Sequence, residues 1–135
     1  MIPDLQACLI CDDVRQERNG KFMLIGIFDV INANQYPLVF PRMCLVTRWC
    51  NGVGEFSQVS RLLKPDQKTV VAQGQTIRLK MPAMEAIATN VEFFMNITFP
   101  ESGIYWIEVL LGNDLKIRLP LRVAPLSAPA GKPQI

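Results

Sequence analysis

The chain has 135 residues, half of them hydrophobic and 19% charged, with fourteen Lys+Arg against twelve Asp+Glu and no histidine. That length suits about one domain, and the hydrophobic share excludes disorder for most of it. The missing imidazole removes Ser-His-Asp and Cys-His nucleophile activation, histidine-ligated metals and histidine pH switching.

Residues 1–14 carry three acidic side chains and no basic one. A secretory signal needs a positive start and then an apolar run, and nothing approaches a transmembrane helix in length. The chain therefore reads as cytoplasmic, with no membrane role and with its thiols reduced. Residues 15–80 carry an excess of six positive charges, but these are spaced singly, as on solvated strand faces.

Leu5 to Cys11 is apolar on both faces, which suits an internal strand. Asn19-Gly20 is a turn pair, and Lys21 to Phe28 follows as a second strand. Asp29 to Pro41 has no clear period. Long loops in compact domains are often functional, so Tyr36 and Phe40 become loop candidates, with plugging one end of the fold as the plainer role. Arg42 to Cys50 is a third strand. The turn Asn51-Gly52-Val53-Gly54 leads into Glu55 to Lys64, and Pro65-Asp66 turns the chain into Thr69 to Lys80. Pro82 to Thr89 is rich in helix formers with proline near its start, predicting one or two helical turns.

The last three strands are the most legible. Asn90 to Phe99 alternates, which sets Val91, Phe93, Met95, Ile97 and Phe99 inward and Asn90, Glu92 and Phe94 outward. Tyr105, Ile107, Val109 and Leu111 share an inward face, with Trp106, Glu108 and Leu110 opposite. In Leu115 to Val123 the odd positions point inward. Pro120 donates no ladder bond, so this strand belongs at or near a sheet edge. A three-residue turn, Gly112-Asn113-Asp114, pairs Val109 with Ile117 and Glu108 with Arg118, which matches apolar with apolar and opposite charges with each other. These strands cannot stand alone and need a second layer from the earlier half. About eight short strands with turn signals between them make an all-β sandwich or barrel. Residues 1–123 form one domain, and 124–135, with Pro125, Pro129 and Pro133, a flexible proline-rich tail.

Candidate chemistry is sparse. Cys8 and Cys11 form a C-x-x-C, with Cys44 and Cys50 as candidate partners. On a strand, however, residues three apart point to opposite faces about 10 Å apart. Cys8 and Cys11 neither chelate one ion nor bridge each other, and Cys44 and Cys50 lie about 20 Å apart. The plain reading is four reduced core thiols, with one cross-strand pair as the alternative. Asp12 and Asp13 are adjacent and face apart on an extended chain, so they make no acid–base pair. There is no phosphate-cradling glycine loop. We expect no enzyme, no cofactor and no metal. The outward apolar residues Trp106, Leu110 and Phe94 are interface candidates, Trp106 with Leu110 being the better pair because they share one face of one strand.

Pro100-Glu101-Ser102-Gly103-Ile104-Tyr105 resembles the tyrosine corner of immunoglobulin-like domains, in which the tyrosine hydroxyl bonds back to nearby backbone. Tyr105 and Gly103 carry that structural role, and Ile107 stands where antibody domains place a disulfide cysteine. Three further groups extend the resemblance. They are Leu9-Ile10-Cys11-Asp12 with Asn19-Gly20-Lys21 and Leu24 to Asp29, then Leu45 to Arg48 with Leu63-Lys64-Pro65-Asp66, and finally Phe99 to Tyr105 with Leu119 to Val123. Over residues 5–123 the chain resembles a family of small uncharacterised bacterial proteins carried as a domain of unknown function. The resemblance implies a single β-sandwich and contributes no activity, none being established for the family, with Pro82–Thr89 in place of the family's proline-rich link.

The reading is an immunoglobulin-like antiparallel β-sandwich of about eight strands with one short helical insertion. Its function is that of a non-catalytic protein-interaction module, self-associating as a homodimer or binding a protein partner. The alternative is nucleic-acid or polyanion binding through a basic sheet face of a partly open barrel.

Overall fold

The computed structural model describes residues 1–126, in which ten strands carry the chain: β1 Asp4–Gln16, β2 Phe22–Ile27, β3 Val30–Asn32, β4 Leu38–Cys50, β5 Gly54–Leu63, β6 Val70–Gln73, β7 Ile77–Met81, β8 Ala88–Phe99, β9 Gly103–Leu111 and β10 Asp114–Ala124. One sheet runs β2-β1-β4-β8. The other runs β3-β10-β9-β5-β6, with β7 beside the first half of β5. Every pairing is antiparallel except β3 on β10, which is parallel. One apolar cluster joins the sheets, with Met43, Leu45, Trp49, Ile97 and Phe99 from the first and Leu62, Leu79, Tyr105, Ile107, Val109 and Leu121 from the second. This is the all-β, two-layer arrangement that the alternation demands.

β1 stands between β2 and β4 in the strand order but not as the internal strand expected over Leu5 to Cys11, because that stretch pairs with β4 and the pairing with β2 begins only at Cys11. Two expected strands change. The stretch Thr69 to Lys80 divides into β6 and β7 around Gly74, whose amide bonds Ser60 O at 2.8 Å and whose missing side chain makes room for the Glu92 carboxylate. The expected loop Asp29–Pro41 yields β3 and the start of β4. Tyr36 and Phe40 both pack partly buried against the core, with Tyr36 Oη donating to Ala33 O at 3.1 Å and Phe40 meeting Phe28 at 6.1 Å between ring centres.

The helical insertion at Pro82–Thr89 is a correction. Among the described residues there is no helix, and only a single turn forms there, closed by Ala86 N to Ala83 O at 3.1 Å. Ala88 and Thr89 belong to β8, paired with Trp49 and Arg48, which leaves too few residues to nucleate a helix.

A second correction concerns β8. Phe93 and Met95 are 51% and 59% exposed, whereas Phe94 is 8% exposed and sits in the core. The alternation reverses at Asn96, which has φ of 51°, opposite Pro41, which has no N–H. The ladder skips this pair yet keeps its register on either side, Arg42 with Met95 and Phe40 with Ile97. Both strands change phase together, so Phe40, Ile97 and Phe99 face inward beyond the break and Met43, Leu45 and Phe94 before it.

The β9–β10 hairpin reaches the expected pairing by another route. Gly112, with φ of 59°, and Asn113 form a two-residue turn that pairs Leu111 with Asp114. A one-residue slip between Leu115 and Ile117 then sets Ile117 opposite Val109 and Arg118 opposite Glu108. Leu115, expected inward, is 45% exposed as a result. Pro120 lies where β10 has β9 on one side only, since β3 covers just Arg122 to Ala124. Ala124 ends β10, and Leu126 N donates to Asn34 Oδ1 at 3.0 Å, so the start of the expected tail is tied down. Its remainder, with Pro129 and Pro133, lies outside the described residues.

Candidate interaction surface

β1 serves two partners in succession. Asp4 to Cys11 pairs with β4, and Cys11 to Gln16 pairs with β2 alone. After Cys11 the β1–β2 hairpin leaves the sheet and folds back across its outer face as an arm. Val14 and Leu24 pack onto Cys11, Cys44, Val46 and Val91 there, and the first three of these outer-face residues are fully or almost fully buried. The tip, Asn19 to Phe22, comes to rest beside Arg48, Ile87 and Thr89. A six-residue stretch of strand spans about 20 Å. That is the distance along β4 from Arg42, at the base of the arm, to Arg48 beneath its tip.

The bend is built into the chain. Gly26 has φ of 69°, and a side chain there would collide with the Asp12 carboxylate, so the Asp12–Gly26 pair is missing from an otherwise regular ladder. Asp13 anchors the base of the arm by pairing with Arg42 and accepting from Arg15 Nε at 3.0 Å. The Arg15 hydrogen bond, then the Val14 amide, then Arg42 hold its carboxyl below the usual range. Arg42 also lies 5.0 Å over the ring of Phe93.

The arm covers one apolar face and presents another. Phe22, Met23, Ile25 and Ile27 are 37%, 48%, 43% and 58% exposed. Among the described residues β2 has β1 on one side and no strand on the other, so its outer edge is open to pairing. No residue from Phe22 to Ile27 is charged; Lys21 and Asp29 flank the strand.

The expected contact residues are dispersed. Phe94 is inside. Trp106 and Leu110 lie on the outer face of the second sheet and are half-buried by cross-strand neighbours, Trp106 between Leu63 and Pro120 and Leu110 between Val59 and Leu115. Between those two rows lies Glu108, almost wholly buried and clamped by Arg61 Nε at 2.8 Å and Arg118 Nε at 2.7 Å. Burial raises its pKa, but the two arginines outweigh that and hold it below the usual range. One cation of the basic middle, Arg61, is thus committed to a buried carboxylate.

Tyr105 and Gly103 do meet their expected geometry. Tyr105 is fully buried and edge-on to Phe99 at 4.9 Å, and its hydroxyl donates to Glu101 O at 2.7 Å. A side chain on Gly103 would come within 2.9 Å of Pro65 Cγ.

Sequence reasoning missed a polar cluster between the sheets. Gln58, fully buried, accepts at Oε1 from Trp49 Nε1 at 2.9 Å and Asn90 Nδ2 at 2.8 Å, and donates from Nε2 to Thr47 Oγ1 at 3.1 Å. Ser60 Oγ donates to Glu92 Oε1 at 2.6 Å. Burial pushes the Glu92 carboxyl up against the lowering effect of its Ser60 and Gln58 hydrogen bonds. Burial first, then Glu92, pushes the nearby Cys8 thiol up to about 12, which keeps it protonated and poorly nucleophilic. The phase change at Asn96 hides this cluster, because simple alternation sends Asn90 and Glu92 outward. Cys8 faces the core, while Cys11 lies in the outer cluster directly opposite Cys44; all four cysteines are free.

The fold and surface define an all-β, two-sheet protein that presents a bare strand edge on a folded-back hairpin. Residues 6–124 match a family described as a family of unknown function (DUF6941), and the chain belongs to it. No curated protein matches the chain. Among the described residues no helix is long and apolar enough to cross a membrane.

Proposed function

We propose that this protein is a non-catalytic interaction module that self-associates through the free edge of β2. The observation that carries this reading is the uncharged, exposed strand Phe22–Ile27 at the margin of a sheet. Edges without charge, proline or cover pair readily with another strand. The favoured occupant is a second copy. Antiparallel pairing of two β2 strands about a two-fold at Ile25 sets Met23 opposite Ile27 of the other copy and joins the apolar side chains into one strip. The same register sets Lys21 opposite Asp29 of the other copy at both ends, so opposite charges meet and no like charges lie at the axis.

Sedimentation velocity across a concentration series tests this. The expected result is a dimer at micromolar concentration, with Ile25→Lys weakening it at least a hundredfold and Trp106→Glu leaving it intact. Lys21→Asp and Asp29→Lys each weaken the dimer, and the double variant restores it. A monomer at every concentration, or a dimer indifferent to Ile25→Lys, overturns the reading.

The finer fold assignment is immunoglobulin-like. Its support is the strand order: β1-β4-β8 stands for A-B-E and β10-β9-β5 for G-F-C, with β6 extending the C side and Tyr105 near the start of the F equivalent. Free thiols support a reducing, cytoplasmic setting.

A further inference from the structure

Arg48 leaves β4 on the same side as Cys44 and Val46, at the end of that face roofed by the arm tip. Its Nε is sealed from solvent and has no hydrogen-bond partner. Buried donors are nearly always paired, and an orphan calls for an explanation. Arg42 and Arg118 are matched by Asp13 and Glu108, whereas Arg48 forms no ion pair among the described residues.

The surroundings of Arg48 suggest what is missing. Asn19, Gly20, Lys21 and Phe22 from the tip, with Ile87 and Thr89 from the start of β8, enclose with Arg48 a cleft of about 530 Å³. No carboxylate lines it. Asn19 uses Oδ1 to accept from Lys21 N at 3.0 Å, which leaves its amide NH₂ to donate. Thr89 brings a hydroxyl, and Lys21 adds a second positive charge at the rim. A guanidinium that forms no ion pair among the described residues and whose Nε lacks a partner, with neutral donors and a further cation beside it, suits a phosphate, whose several oxygens accept from more than one direction. The cleft is far larger than a bare phosphate, and Phe22 and Ile87 give it apolar walls for an organic group.

We infer that the cleft beneath the arm tip binds a phosphate monoester, with Arg48 as its main ligand, and that the bound ester ties the arm to the sheet beneath. The test is an NMR titration of the full chain with phenyl phosphate, inorganic phosphate and acetate at fixed ionic strength. The Arg48 Nε–H signal and the amides of Asn19 to Phe22 and Thr89 should shift together and saturate. Phenyl phosphate should bind several-fold tighter than inorganic phosphate, and acetate most weakly. Arg48→Met keeps an apolar stem under the arm and should weaken phenyl phosphate at least tenfold with the oligomeric state unchanged. Thr89→Val, similar in shape, should weaken it a few-fold and serves if Arg48→Met fails to fold. Shifts that do not saturate, that map elsewhere or that survive both substitutions overturn the site. Acetate binding as tightly as phenyl phosphate overturns the ligand class.

Discussion

The outer faces of the two sheets solve one problem in different ways. The second sheet closes its surface in place. Arg61, Glu108 and Arg118 lie in register across β5, β9 and β10, with Trp106 on one side and Leu110 on the other, each half-covered by strand neighbours. Its marginal strand β10 carries Lys116, Arg118, Pro120 and a bulge, all of which discourage edge pairing. The first sheet has Cys44 and Val46 on its outer face, too small and apolar to face water, and covers them with the hairpin arm. The cover moves the exposure elsewhere, because β2 now shows Met23, Ile25 and Ile27 without a charge among them. A face that satisfies itself leaves nothing to bind, whereas a face closed by a flap passes its apolar surface to the flap's edge.

The largest effect is expected where the self-sufficient face is broken. Glu108→Ala removes the carboxylate that both arginines share. Breaking a buried pair costs about 3–5 kcal/mol, and partial exposure of the arginines reduces this to about 2–4 kcal/mol. The folded-state pKa of Glu108 lies below the unfolded one, so its contribution is present above about pH 4.3 and is lost as pH falls through the folded value. Chemical denaturation at pH 7 and pH 3 should show the gap between the native protein and the variant narrowing in acid.

The flap-covered face should yield less stability and more accessibility. Leu24→Ala thins the cover over Cys44 and should cost about 2 kcal/mol. It should also raise the native-state labelling rate of Cys11 and Cys44 at least tenfold while leaving Cys8 unchanged, as read by mass spectrometry of labelled peptides. Equal acceleration at Cys8 would mean that the whole molecule opens and that the arm is not a separate cover.

The same contrast explains which parts were legible in the sequence. The legible part of the self-sufficient sheet is the β9–β10 hairpin, whose strands are successive and whose signals are local. The alternation of Tyr105 to Leu111, the Glu108–Arg118 match, Pro120 at the margin and the Tyr105 hydroxyl bond all follow from short-range spacing. The other sheet depends on partners distant in sequence. The phase change of β8 needs Asn96 and Pro41 to coincide, and alternation within β8 alone misassigns Phe93, Phe94 and Met95. The bend of the arm needs Gly26 to meet Asp12, and neither residue signals that by itself. Pro82 to Thr89 has helical propensity, but Ala88 and Thr89 are drawn into the ladder with β4, and a turn is what remains.

The smallest effect lies between the two faces, at Glu92. Burial holds its folded-state pKa above the unfolded one, the opposite of Glu108. Its contribution to stability is therefore fully present below about pH 4.3 and is lost as pH rises through the folded value. Cys8, the other titratable group facing it, stays protonated over this range because its pKa is pushed up to about 12. Glu92→Gln keeps an oxygen to accept from Ser60 Oγ and removes the charge. It should stabilise the protein at pH 7 by about 1 kcal/mol, the scale of one hydrogen bond, and by nothing measurable at pH 4. A gain of equal size at both values would mean that the gain comes from packing and not from the charge. A loss at pH 7 would place a working negative charge between the sheets, where the surrounding donors, Ser60 and Gln58, would then be holding an ionised carboxylate.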